Sequence, residues 1–377
     1  MHEEQLSPFA GETMTQLTVG FARPRTAVPD LTAGSRPATP ALVDQHGRVA
    51  QDLRVSLTDR CNLRCEYCMP ADALDCLPTT EALSDAEVVR LVTIAVEKLG
   101  IREVRFTGGE PLLRRGLEDI VAATTALRTV NGARPVTAMT TNALGLGSRA
   151  AGLAAAGLDR INVSLDSLDR RTFATLTHRD RLPDVLAGLA AADAAQLAPV
   201  KINAVLMRGV NDAEAPELLA FALGRGYGLR FIEQMPLGPP DAWDRGAMVT
   251  AQEILASLST RFTLTTADPA ERGSAPARHW VVEPGPDLPG GTVGVISAVT
   301  QPFCAACDRT RLTADGHVRS CLFSRTETDL RSLLRDGAGD DELAAMWRTA
   351  MWGKEAGHDI NEPVFQQPRR PMSAIGG

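Results

Sequence analysis

The chain has 377 residues, 44% of them hydrophobic and 23% charged, with a net charge of −7. This composition suits a folded protein of two or three domains and excludes collagen-like, coiled-coil and wholly disordered chains. No apolar run approaches the roughly 18–20 residues of a membrane span, and the acidic balance argues against a nucleic-acid coat while leaving room for a local basic pocket.

Residues 1–43 are rich in Pro, Ala, Gly, Thr and Arg without periodicity, which predicts a flexible N-terminal arm. The opening MHEEQLSPFAGE is acidic and lacks the apolar stretch of a secretory signal, so a cytoplasmic protein is expected. From 44 to 240 the pattern becomes strand, loop, helix, repeated. Runs at 53–58, 104–107, 136–141, 160–165, 200–206 and 229–235 predict six strands. Helices are predicted between them, at 84–99, 115–129, 148–156, 183–196 and 213–224. The first is marked by Ser84 and Glu87, spaced as a capping box, and by Val88, Leu91, Val92, Ala95 and Leu99 on one face. The strands are apolar with little alternation, as expected of a parallel sheet covered by helices. Right-handed crossovers roll such units into an α/β fold, an incomplete (β/α)6 TIM-like barrel.

Residues 241–377 change character. Thr250 and Glu253 begin a short helix by the same capping logic, and 267–292 is dense in Pro and Gly. Strands are predicted at 279–283 and 292–297, helices at 326–335 and 340–351. The result is a smaller C-terminal α+β domain with an irregular tail, QQPRRPMSAIGG.

The seven cysteines fall in two groups: Cys61, Cys65, Cys68 and Cys76, then Cys304, Cys307 and Cys321. Clustered cysteines in a cytosolic chain favour metal ligation over disulfides. In CNLRCEYC three thiolates on one short loop can wrap one face of an iron–sulfur cubane and leave its fourth iron open. Zinc is the alternative, with Cys76 as fourth ligand; no His lies between 61 and 80. By spacing alone the second group is as compatible with zinc, His317 completing a Cys3His site. Arg309 and Arg311, just after the C-x-x-C pair, would repel a lone cation and instead suit an open-iron cluster facing an anionic substrate. Cys76 is left as a free thiol.

SLTDRCNLRCEYCMP resembles the signature of the radical S-adenosylmethionine (SAM) superfamily, and FTGGEPLLRR its glycine-rich SAM motif. With the second cysteine group, R-T-R and the final Gly376-Gly377, the chain from about residue 44 onward is similar to the GTP 3′,8-cyclase family of molybdenum cofactor biosynthesis. The resemblance implies two 4Fe-4S clusters, one on Cys61, Cys65 and Cys68 that chelates SAM, the other on Cys304, Cys307 and Cys321 that holds guanine. It implies that one electron cleaves SAM to methionine and a 5′-deoxyadenosyl radical, which removes the C3′ hydrogen of GTP. The ribose radical then attacks C8, giving (8S)-3′,8-cyclo-7,8-dihydroguanosine 5′-triphosphate. Implied SAM contacts are Tyr67, Gly108, Gly109, Glu110, Ser164 and Met235. Implied substrate contacts are Arg54, Arg105, Thr140, Lys201, Arg309, Thr310 and Arg311, with Gly376 and Gly377 reaching into the cavity.

The strand assignment agrees with this distribution: Arg54, Arg105, Thr140, Ser164, Lys201 and Met235 lie one in each of the six strands, where polar groups face a site or lose solvation for nothing. Asp166, Asn142 and Asn203, also near strand ends, are expected to be rim structure. Expected partners are GTP, a flavodoxin- or ferredoxin-type one-electron donor and the next enzyme of the pathway, which takes the product. A homodimer is allowed; nucleic acid and membrane are not expected partners. The alternative is a radical SAM peptide maturase with an auxiliary cluster, which needs neither a triphosphate pocket nor a diglycine end.

Overall fold

A computed structural model describes residues 36–69, 76–239, 243–286, 288–363 and 365–376. Most of the arm expected at 1–43, and Gly377, lie outside these residues. Eight parallel strands form the centre: β1 (Asp52–Ser56), β2 (Glu103–Thr107), β3 (Val136–Thr141), β4 (Arg160–Ser164), β5 (Lys201–Val205), β6 (Gly228–Ile232), β7 (Gly291–Ile296) and β8 (Arg309–Leu312). Their order in space is β8-β1-β2-β3-β4-β5-β6-β7, with every neighbouring pair parallel. Antiparallel strands extend both edges, His317–Arg319 and Thr328–Asp329 beyond β8, Arg278–Val282 and Leu264–Thr266 beyond β7. β7 and β8 are not neighbours, so the parallel sheet stays open.

The six expected strands are present, and the C-terminal residues add one strand to each side of the same sheet. Strand β8 escapes a periodicity reading because its inward positions are Arg309 and Arg311, so RTRL looks like a polar loop. The expectation of little alternation is corrected in the same way. Leu53 and Val55, Val104 and Phe106, Ile161 and Val163, Leu229 and Phe231 are buried in the core. Between them Arg54, Arg105, Asn162 and Arg230 line a cavity on the concave face. A closed TIM barrel fills that space with branched side chains; here it is left open and polar.

The helices cover the outer face. Both predicted capping boxes form, Ser84 with Glu87 and Thr250 with Glu253. An unpredicted helix, Arg170–Thr177, starts at Asp169, whose carboxylate accepts from the N–H groups of Arg171 and Thr172. Helix Asp340–Trp352 closes over β8, where the buried Trp347 donates Nε1–H to Thr310 Oγ1 at 3.0 Å. Among the described residues no helix is long and apolar enough to cross a membrane.

Candidate active site

The cavity at the centre of the sheet measures about 1100 Å³ including its open mouth. Register sets its charge. Arg311, Arg54 and Arg105 face one another across β8, β1 and β2, and Arg309 stands in register with Asp52. On the far side Ser164, Asn203 and Arg230 form a second row across β4, β5 and β6. Like charges in register repel, and counter-charge is scarce. Asp52 lies 3.7 Å from Arg54 and 3.6 Å from Arg309, and Glu103 binds Arg105 and Arg160 at 2.6 Å each. The buried Nε atoms of Arg54, Arg105, Arg230 and Arg309 have no hydrogen-bond partner among the described residues, nor has Asn203 Oδ1. Burial, then repulsion by Arg105, Arg309 and Arg311, holds Arg54 well below the usual arginine range despite Asp52. Burial and the neighbouring Arg105, Arg160 and Arg309 push Arg230 down to about 9. Such a cavity is suited to a polyanion.

The first cysteine loop lies over the carboxyl ends of the strands. Gly109 N–H donates to Thr58 O at 2.7 Å and Glu110 N–H to Arg60 O at 2.8 Å. A Cβ on Gly109 would stand 2.2 Å from Arg60 O, and one on Gly108 2.4 Å from Thr58 O. The glycines are therefore required by the close passage of the cysteine loop itself. Cys61, Cys65 and Cys68 are half-buried. Burial raises all three thiols, and neighbouring thiols raise Cys65 and Cys68 further; Cys68 is pushed up to about 12. Left alone they stay protonated, and iron supplies the positive charge that would hold them as thiolates. Among the described residues no three His, Cys, Asp or Glu side chains converge on a single-ion site. A cubane places each thiolate on its own iron, so three cysteines on one short loop fit a cluster with one iron left open.

The second triad brackets the hairpin formed by β8 and His317–Arg319, with Cys304 and Cys307 before it and Cys321 after it. Burial and the other two thiols push Cys304 up to about 11. Cys307 is lowered instead: burial opposes, but Lys354 and Arg309 prevail. His317, the alternative zinc ligand, turns to carboxylates, with Nδ1 3.3 Å from Asp315 Oδ2 and Nε2 3.9 Å from Asp329 Oδ2.

Of the expected site residues, Arg54, Tyr67, Arg105, Thr140, Ser164, Met235, Arg309 and Arg311 line the cavity. Lys201 sits at the amino end of β5, its charge disfavoured by burial and by Arg230, Arg160 and Arg105. Thr310 is a correction: strand alternation turns it outward, fully buried against Trp347, away from the cavity. The Glu110 carboxylate is tied to the chain, accepting from Leu112 N (2.9 Å), Thr141 Oγ1 (2.7 Å) and Asn142 N (2.7 Å), and burial pushes it up to about 7. Arg230 and Asn162 were not anticipated, and Asn203 and Asp166, expected as rim structure, line the cavity with them. Asp166 accepts from Tyr67 Oη at 2.6 Å and from Val205 N at 2.8 Å, fixing the aromatic ring of the cysteine loop. The signal for Arg230 was present in LRFIEQM, a lone arginine at an inward position of an apolar strand.

The C-terminal tail joins the two halves of the site. Arg370 grips Asp315 through two hydrogen bonds, 2.9 and 2.7 Å, and Glu327 at 2.9 Å. Beyond it Gly376 O accepts from Arg311 Nη1. Gly376 has φ +75°, and a Cβ there would meet Thr107 Cγ2 at 2.7 Å.

Comparison with known proteins gives the family. Residues 55–222 match the Radical SAM superfamily and residues 227–360 match Molybdenum Cofactor Synthesis C. The chain is 61% identical over 338 residues to the GTP 3′,8-cyclase of Corynebacterium glutamicum, covering 89% of each chain. It is 58% identical over 365 residues to that of Mycobacterium marinum, covering 97% of this chain and all of the relative. Among solved structures, Streptococcus suis SuiB bound to precursor peptide SuiA shares the fold, with a TM-score of 0.55 at 14% identity over 86% of this chain and 76% of that one.

Proposed function

The chain belongs to the GTP 3′,8-cyclase family of radical SAM enzymes, and on that premise we propose how its residues convert GTP to (8S)-3′,8-cyclo-7,8-dihydroguanosine 5′-triphosphate, the first step of molybdenum cofactor biosynthesis. The observation that carries the assignment of roles is the set of unpaired arginines between two cysteine triads. Arg54, Arg105, Arg230, Arg309 and Arg311 take the triphosphate by charge-assisted hydrogen bonds, with Lys201 adding charge from below. Thr140, Asn162 and Asn203 orient the sugar, Asn162 already being held by Arg230 Nη2 at 2.8 Å.

Cys61, Cys65 and Cys68 hold one 4Fe-4S cluster and Cys304, Cys307 and Cys321 the other. When bound, the first cluster with SAM supplies a one-electron route to hydrogen-atom abstraction from the ribose. Tyr67, Gly109, Ser164 and Met235 position SAM, while Asp166 keeps Tyr67 in place. Apolar walls from Val205, Ile232, Ile296, Phe303, Leu322 and Met372 keep bulk water from the reacting atoms. Gly376 brings a backbone carbonyl to Arg311, so the tail organises the cation row and excludes solvent.

The electron donor is of flavodoxin or ferredoxin type, the product passes to the next enzyme of the pathway, and the setting is the cytoplasm. The peptide-maturase alternative is not favoured: its support is fold-level likeness at 14% identity, against 58–61% identity to cyclases. The test is anaerobic incubation of the reconstituted protein with GTP, SAM and a low-potential reductant, with mass analysis of the product. SAM cleavage without cyclised nucleotide would overturn the assignment.

A further inference from the structure

Just beyond helix Asp340–Trp352, the chain turns back over the second triad. Lys354 is only 4% exposed. Its Nζ lies 2.9 Å from Arg309 O, 3.3 Å from Cys307 O and 3.3 Å from Cys307 Sγ. Three acceptors match the three N–H bonds of an ammonium group. Arg48 clamps the segment from the turn between the antiparallel strands Leu42–Val43 and Val49–Ala50: its guanidinium donates to Cys304 O at 2.8 Å, Ala356 O at 2.9 Å and Glu355 O at 2.5 Å, and pairs with Asp44.

The first triad is built otherwise. Its Cys61 sulfur meets neutral donors, Leu63 N at 3.5 Å and Asn142 Nδ2 at 3.7 Å. The nearby cation, Arg64, directs Nη1 to the carbonyls of Cys61 and Leu63. Among the described residues a cationic side chain donates to a cysteine sulfur at the second triad and not at the first.

We propose that Lys354 is a positioning residue that raises the reduction potential of the second cluster. The inference rests on the reading that Cys304, Cys307 and Cys321 hold a 4Fe-4S cluster. A reduced cluster carries one more negative charge than the oxidised one, and hydrogen bonds to its sulfurs and local net charge are what set its potential. An ammonium held against a ligand sulfur, away from water, stabilises the reduced form more than the oxidised form.

The experiment is an EPR-monitored potentiometric titration of the anaerobically reconstituted full chain, wild type against Lys354→Met and Lys354→Gln, with iron and sulfide counted. Protein with Cys61, Cys65 and Cys68 changed to Ser identifies the second cluster's signal. In Lys354→Met, with iron content retained, reduction of the second cluster becomes at least tenfold less favourable, about 59 mV for one electron, and the first cluster's midpoint is unchanged. Lys354→Gln, which keeps an N–H donor without the charge, shifts the same way by less. An unchanged second midpoint in a fully loaded variant would overturn the proposal. So would loss of the second cluster from both variants, which assigns Lys354 to holding the loop. Wild-type protein with only one cluster's iron would overturn the cofactor reading, and this inference with it.

Discussion

Replacing Arg230 with Met separates a residue kept for its ligand from one kept for the fold. Arg230 is half-buried in the cavity wall, gives one hydrogen bond to Asn162 and leaves a buried Nε unpartnered. Burial first, then the charges of Arg105, Arg160 and Arg309, push it down to about 9. Because this folded value lies below the unfolded one, the charge destabilises the substrate-free fold. The penalty is fully present below about pH 9 and fades as pH rises through it. At 1.36 kcal/mol per pH unit it amounts to roughly 5 kcal/mol as an upper bound. Solvent in the open cavity reduces it, and the lost Asn162 bond takes back about 1 kcal/mol. Arg230→Met should therefore stabilise the GTP-free protein by about 1–3 kcal/mol, raising Tm by roughly 2–6 °C. The same change removes a charge-assisted hydrogen bond to the triphosphate, about 1.5–3 kcal/mol, which weakens GTP binding about 10- to 150-fold. Differential scanning fluorimetry of cluster-loaded protein without GTP, and anaerobic calorimetry with GTP, measure the two. A variant that melts lower than wild type, or binds GTP as tightly, would refute the argument.

Anaerobically reconstituted protein should contain about eight irons per chain and no stoichiometric zinc; four irons plus one zinc would return the second triad to a zinc reading, and Cys76→Ala, at an exposed position, should leave the iron count unchanged. Serine at Cys61, Cys65 or Cys68 should abolish SAM cleavage, whereas serine at Cys304, Cys307 or Cys321 should spare part of it and remove GTP turnover; equal loss from both sets in folded protein contradicts this division. Deleting Gly376 and Gly377 should leave iron content and GTP binding largely intact but strongly lower cyclised product, since Arg311 loses its carbonyl partner; wild-type turnover would reduce the tail to a frayed end. His317 gives a pH test. Burial lowers its pKa, but the Asp315 hydrogen bond and charge, with Glu327, raise it above the ordinary value. Its stabilisation is then complete below about pH 6.5 and lost as pH rises through the folded value, so His317→Asn should have a lower urea midpoint than wild type at about pH 6 and approach it in mildly alkaline solution. An equal deficit at both pH values would refute it.

The sequence alone determined the local signals. Capping boxes at Ser84 and Thr250 formed as spaced, six strands appeared where apolar runs placed them, and the cysteine and glycine motifs carried the family. These signals are local because a cap, a strand's outer face and a ligand loop each depend on neighbours a few residues away. What tertiary structure decided is the partnership of distant residues. Parallel pairing brought Arg311 beside Arg54, far apart in the chain, and made RTRL a buried strand rather than a cluster loop. Strand alternation, visible only once the faces were known, turned Thr310 to Trp347 and Arg230 into the cavity. The end of one helix delivered Lys354 to Cys307. A buried charge has no local pattern in a sequence: the reason it is tolerated is the set of groups, or the ligand, that folding places around it.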